Sequence, residues 1–189
     1  NHHASTDHRL KVLRDTTAAP LPGFSLVVYE PALELVTHHF PCEDGHDSER
    51  NQLEAVLQIV EKEDLWLGDR HFCTTWFLSA LLARKAAFII REHATNAPWE
   101  AVTEFRSCGR SSTGEVFEQT VRLLLSDGSF QNIRRVKIVC DQPLRNGEQE
   151  LFLLSNLPES VSALTIAEVY RQRWTIETSF QDMEANLRS

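Results

Sequence analysis

Residues 65–93 read LWLGDRHFCTTWFLSALLARKAAFIIREH. LWLG is a short apolar run that stops at an acid, Asp69. After it, Phe77, Leu78, Leu81 and Leu82 share one helical stripe, and Arg84-Lys85 supply the cations that suit a helix C-terminus. AAFIIRE (86–92) is then a second buried strand. A strand, a helix and a strand in so few residues make a βαβ unit, whose strands run parallel with helices covering the sheet. Asp69 therefore stands at the C-terminal end of a parallel strand, where open α/β sheets place their sites.

Upstream, FSLVVYE (24–30) and LELVTHHF (33–40) read as a hairpin through Pro31-Ala32, closed by Pro41. Residues 48–62 predict a helix, with Leu53, Val56, Leu57 and Val60 on one face and Asp47 or Ser48 as its cap. The first 22 residues are polar and irregular. Downstream, residues 99–157 turn strand-like. VRLLL (121–125) and FQNIRRVKIVC (130–140) flank Asp127-Gly128, a hairpin signal, and residues 145–147 mark another turn before ELFLLSNLP (150–158). The final stretch returns to helix, with a capping box expected at Thr165–Glu168 and neither Pro nor Gly from 159 to 189.

The whole chain has 189 residues, 42% of them hydrophobic and 24% charged, which is a globular composition. No apolar run reaches the roughly 18 residues of a membrane span, and the polar N-terminus lacks an export signal. The formal charge is −8, which by itself argues against nucleic acid as a partner. Its distribution weakens that argument. Residues 43–64 carry eight acids and two bases, leaving the remainder near −2, while 95–140 hold six bases and five acids. Four scattered cysteines, none in a C-x-x-C pair, read as reduced thiols rather than a disulfide framework.

The chemistry concentrates on the last helix. Tyr170, Arg173, Glu177 and Glu184 are spaced three, four and seven apart, so all fall within an arc of about 60°. One face thus lines up a phenol, a guanidinium and a carboxylate. Arg173 four residues before Glu177 is also the spacing of an ordinary surface ion pair. The phosphate-loop, dinucleotide and nucleophile-elbow motifs are absent, so nothing points to ATP, NAD or serine-hydrolase chemistry.

The segment YRQRWTIETSF (170–180) resembles the signature helix of bacterial DDE insertion-sequence transposases, whose pattern is Y-x2-R-x3-E-x6-K. Tyr170, Arg173 and Glu177 match its first three positions, and Trp174, Ile176 and Phe180 match the apolar ones. LWLGDRHF resembles the family's strand-Asp-Arg-aromatic segment, which assigns the second catalytic acid to Asp69, with Arg70 beside it. The resemblance covers nearly the whole chain. It implies a ribonuclease-H-like α/β core, a mixed sheet with flanking helices, formed by residues 1–94 and 158–189. A β-rich insertion over 95–157 interrupts it.

In that reading Asp69 and Glu177 are the catalytic residues and hold Mg²⁺ or Mn²⁺ in a two-metal site. Such hard cations take carboxylate oxygens and relieve charge on both the attacking and the leaving oxygen of a phosphodiester. Tyr170, Arg173 and Arg70 would contact DNA. Arg134, Arg135 and Lys137 after the Asp127-Gly128 turn read as a solvated strand edge, or, by resemblance, as DNA-backbone contacts. The implied activity is transposition: hydrolysis at the element end, then strand transfer into target DNA. The implied partners are double-stranded DNA and a second copy in a homodimer, without a membrane, in the bacterial cytoplasm at the nucleoid. Two departures stand out. Glu184 replaces the final Lys, and no Asp-Gly at a strand end supplies the first acid. The expectation is that this strand lies upstream of Asn1 and that the chain is a fragment. The alternatives are an inactive or truncated transposase-derived DNA-binding fragment, or another two-metal nuclease of the same fold.

HHFPCEDGH (38–46) offers His38, His39, Cys42 and His46 as borderline zinc ligands, but no second paired motif completes a set. Trp66 and Trp76 are expected in the core, and Trp99 in packing rather than on a flipped base.

Overall fold

The computed structural model describes residues 23–42, 47–93, 95–144 and 147–173. The chain divides into two compact units, residues 1–59 and 60–189.

In the first unit, β1 (Phe24–Glu30) and β2 (Leu35–Cys42) form an antiparallel hairpin. The turn is closed by Leu33 N–H donating to Glu30 O, and Glu34 takes a left-handed φ of 53° as the chain enters β2. Contrary to expectation, Pro41 does not stop the strand, since it pairs with Ser25. In a two-stranded ribbon alternate residues turn their N–H groups away from the partner strand, and Pro is tolerated at such positions. The helix expected over 48–62 is much shorter. A 3₁₀ turn at Glu49–Gln52, capped by the Ser48 hydroxyl accepting from Arg50 N, leads into α1 (Leu53–Val56). Beyond it Gln58 and Ile59 donate three residues back, the tighter bonding of a helix that is ending.

The second unit holds one seven-stranded mixed sheet. Its main order is β3-β4-β9-β8-β7-β5, with β6 also on β7. β3 (Leu65–Gly68) and β4 (Ala87–Arg91) are parallel, joined through α2 (Thr75–Ala83), as the βαβ reading requires. Thr74 caps α2, its hydroxyl accepting from Phe77 N at 3.2 Å. The other ladders are antiparallel: β5 (Trp99–Ala101), β6 (Arg106–Arg110), β7 (Gly114–Leu124), β8 (Phe130–Cys140) and β9 (Glu150–Ser155). β7 and β8 turn at Asp127-Gly128, where Gly128 has φ +82° and the Asp127 carboxylate accepts from Ser129 N and Oγ. β9 pairs with both β4 and β8, so residues 99–155 extend the sheet that β3 and β4 begin. Gly114 is irreplaceable at the head of β7, because a Cβ there would lie 2.0 Å from Val139 O.

α3 (Ala163–Arg171) covers one face of this sheet. Ser162 caps it, its hydroxyl accepting from Thr165 N at 3.0 Å, so the capping box expected at Thr165–Glu168 starts three residues too late. Ala163, Ile166, Ala167 and Tyr170 recur at helical spacing and are buried against Ile89, Val116, Val136, Ile138, Leu151 and Leu153. Strand alternation turns Phe88 and Ile90 to the opposite face, and they are buried there along with Phe77, Leu78 and Leu81 of α2. Trp76 departs from its expected core position and is 42% exposed.

Candidate active site

Asp69 follows β3 directly, in extended conformation with φ −80° and ψ 173°, and the chain then closes a single 3₁₀ turn over Arg70–Phe72. That turn fixes the acid at the end of the parallel pair. One carboxylate oxygen, Asp69 Oδ1, is buried without a hydrogen-bond partner. A buried anionic oxygen in that state is costly unless a cation compensates it. Arg91 at the end of β4 is a charged neighbour, its Nη1 3.9 Å from Asp69 Oδ1. Parallel register makes this proximity: Gly68 pairs with Ile90, so the residues immediately after them sit side by side.

The second contributor is α3. Its buried stripe ends at Tyr170, which is 1% exposed, and the Tyr170 hydroxyl also lacks a hydrogen-bond partner. Burial pushes this phenol up to about 12, Asp69 adds to the upward push, and Arg173 and Arg91 pull against it. The hydroxyl is therefore protonated at any physiological pH and can act only as a neutral donor or acceptor. The Arg173 guanidinium lies 5.7 Å from the Tyr170 ring centroid. Asp69, Arg91, Tyr170 and Arg173 thus form one electrostatic neighbourhood, although Asp69 and Tyr170 are about 100 residues apart. The acid after LWLG acts electrostatically on the phenol of the last helix. Glu177, Glu184 and the rest of residues 174–189 lie outside the described residues.

Arg70 is half-exposed, and its Nη1 lies 3.3 Å from Glu148 Oε1; the other Glu148 oxygen accepts from Arg91. Sequence reasoning missed both Arg91 and Glu148. Arg91 reads as the polar end of a buried strand, and Glu148 as one acid among turn residues. The register of β3 on β4 brings Arg91 to Asp69, and the Arg91–Glu148 ion pair brings Glu148 with it.

Three sequence candidates lie elsewhere on the sheet and hold internal partners. Arg134 is paired with the buried Glu118 and donates to Pro158 O and Val161 O at 2.8 and 2.6 Å, pinning the segment that enters α3. Arg135 bonds Glu92 at 2.7 Å and packs over the Trp99 and Phe152 rings, 4.4 and 4.2 Å from their centroids. Trp99 N–H also donates to Glu92 at 2.9 Å, so that indole is packed as expected. Lys137 lies between Phe105 and Phe117 and 3.7 Å from Glu150. These side chains are only 11–22% exposed, which is not the solvated strand edge the sequence suggested.

No group of three or more His, Cys, Asp or Glu side chains among the described residues converges as a metal cage. Asp69, with its orphaned buried oxygen, fits a hard divalent cation as a single ligand. In the zinc-like stretch, His39 Nε2 is 2.8 Å from Ser25 Oγ and Cys42 Sγ is 3.6 Å from Asp47 Oδ2; His46 lies outside the described residues. None of the four cysteines, Cys42, Cys73, Cys108 and Cys140, is in a disulfide. No helix among the described residues is long and apolar enough to cross a membrane.

A family model described as "Transposase DDE domain" matches residues 26–189. No curated protein matches the chain.

Proposed function

The chain belongs to the transposase DDE domain family, and from that membership we propose that it catalyses DNA transposition by metal-dependent phosphodiester hydrolysis and strand transfer. The observation that carries the proposal is the electrostatic coupling of Asp69, at the end of a parallel strand, to Tyr170 on α3, with Arg173 just beyond that helix acting on the same hydroxyl. Asp69 and Glu177 are the proposed catalytic pair and the ligands for Mg²⁺ or Mn²⁺. When bound, such ions stabilise charge on the attacking and leaving oxygens of an in-line displacement. The protein's own contribution begins with Asp69, whose backbone is fixed by β3 and the following 3₁₀ turn. Arg173 is suited to a bidentate contact with a backbone phosphate, and the protonated Tyr170 hydroxyl to donating a hydrogen bond. Arg70 is a third DNA contact. Arg134, Arg135 and Lys137 would join them only by exchanging Glu118, Glu92 and Glu150 for phosphate.

In the same proposal, residues 1–94 and 158–189 make the ribonuclease-H-like core and 95–157 the insertion between the two acids. A homodimer on paired bacterial element ends, at the nucleoid, completes it. The test is excision of a plasmid-borne element by the full-length protein. Asp69→Ala and Glu177→Ala should each lower excision by at least about a thousandfold, as expected for a carboxylate whose bound cation stabilises the transition state. Excision that survived both substitutions would sink the assignment.

One observation favours a second reading, an inactive DNA-binding relative: Glu184 stands where the signature has Lys. A carboxylate there repels the phosphate that an ammonium would hold. If Glu184→Lys switches on excision in a silent chain, the catalytic residues are intact and only end binding was lost.

A further inference from the structure

Glu148 is the only carboxylate among the described residues bonded by two guanidinium groups beside Asp69. Arg70 reaches one of its oxygens at 3.3 Å and Arg91 reaches the other. The two cations come from different elements, the turn after β3 and the end of β4, yet converge on one anion. Arg91 is 13% exposed and at the same time lies 3.9 Å from Asp69, so it cannot swing away to find another partner. Glu148 differs in this respect. It is 45% exposed, its carbonyl accepts from Leu144 N, and it follows Gly147 at φ +82°. Arg91 is the buried member of the three, while Arg70 and Glu148 both reach solvent, 36% and 45% exposed.

Two convergent forks make an anion seat that matches a tetrahedral oxyanion at least as well as a planar carboxylate. A backbone phosphodiester carries the same single negative charge as the carboxylate it would replace. The exchange therefore leaves the local charge unchanged and strands no cation beside Asp69 and the unpartnered Tyr170 hydroxyl. We propose that Arg70 and Arg91 form a phosphate seat next to Asp69 and that Glu148 is its built-in occupant, displaced when a DNA backbone phosphate binds. Glu148 then has two effects: it keeps the seat assembled without DNA, and it competes with DNA for it. The DNA part of this proposal rests on the transposase reading; the anion seat does not.

The test uses the full chain as wild type, Glu148→Gln, Arg91→Gln and the double variant, without divalent metal. A short fluorescent duplex titrated by anisotropy reads the DNA arm, and ³¹P line broadening of inorganic phosphate reads the seat alone. Glu148→Gln should tighten duplex binding by about tenfold, the scale of one added charge-assisted phosphate contact, and should broaden the phosphate line. Both gains should vanish in the double variant. If the gain in affinity persists with Arg91→Gln, it reflects net charge alone and the seat is refuted. The seat is equally refuted if phosphate broadens in no variant while duplex binds all alike, an outcome that leaves the transposase reading standing. Phosphate binding by Glu148→Gln with no duplex binding by any variant upholds the seat and removes its DNA role. Should Glu148→Gln not fold, the wild type still answers: the Arg91 Nε–H resonance should shift on adding duplex, and an unmoved resonance overturns the proposal.

Discussion

Tyr170 shows how a single atom separates stability from function. Its ring completes the buried stripe of α3, while its hydroxyl is buried beside Arg173 with no hydrogen bond of good geometry among the described residues. A phenol without a partner costs desolvation energy that a phenyl ring does not. Tyr170→Phe is expected to leave unfolding free energy unchanged or raise it by about 1 kcal/mol in urea titration. If the hydroxyl donates to DNA, the same variant should lose excision activity by about tenfold, the worth of one hydrogen bond to a charged group. A loss of stability with unchanged activity would make the hydroxyl structural instead. Asp69 was legible at this scale because an acid closing an apolar strand is a strong signal. Arg91 and Glu148 were not, because their meaning lies in pairings across the sheet that no local pattern carries.

At the scale of elements, α3 is tied to the β6–β7 turn by one side chain. Glu168 accepts from Ser112 N at 2.7 Å and from Ser112 Oγ at 2.9 Å. These bonds, first the backbone one and then the hydroxyl, hold the Glu168 carboxyl below the usual range, with Arg171 adding to them. A depressed native pKa means stability that is present above the unfolded value and lost as pH falls through the native one. Glu168→Gln should therefore cost about 0.5–1 kcal/mol at neutral pH, a small figure because the side chain is 40% exposed. The difference from wild type should close as pH drops below about 4. A difference that is constant with pH would show that the carboxylate's charge plays no part.

Elements also show what the sequence could and could not convey. The βαβ unit, the β1–β2 hairpin and the Asp127-Gly128 turn were readable because each is set by local periodicity and turn chemistry. The helix expected to reach residue 62 fails because the chain must turn, through Glu63 at φ 72°, into β3 two residues later. β6 was missed because RSCGR has no apolar alternation; β7 recruits it as an edge. The cap of α3 was misplaced because Ser162 and Thr165 both carry suitable hydroxyls, and Ser162 Oγ is the one that reaches the Thr165 N–H.

For the whole molecule, the net charge of −8 goes with arginines that, among the described residues, are largely taken up by internal acids. Arg106, Arg110, Arg122, Arg134 and Arg135 all face carboxylates within the sheet. DNA binding through the neighbourhood of Asp69 therefore involves few phosphates. With about four contacts, affinity should fall about a hundredfold between 50 and 200 mM salt. Binding indifferent to salt would place recognition outside this cluster. The family was legible in the order of two motifs, and the match over residues 26–189 agrees with it.

The long β7–β8 hairpin offers a practical opening. A methyl group on Gly128 would meet nothing within 4 Å, and closing a longer loop costs only about 0.6 kcal/mol per doubling of its length. A peptide label grafted between Asp127 and Gly128 would hang from the tip of this ribbon. Ser126 should be left alone, because its N–H docks on the Ser79 hydroxyl of α2 at 3.0 Å. Such a handle would let the chain be immobilised or tracked by light without a tag at either terminus.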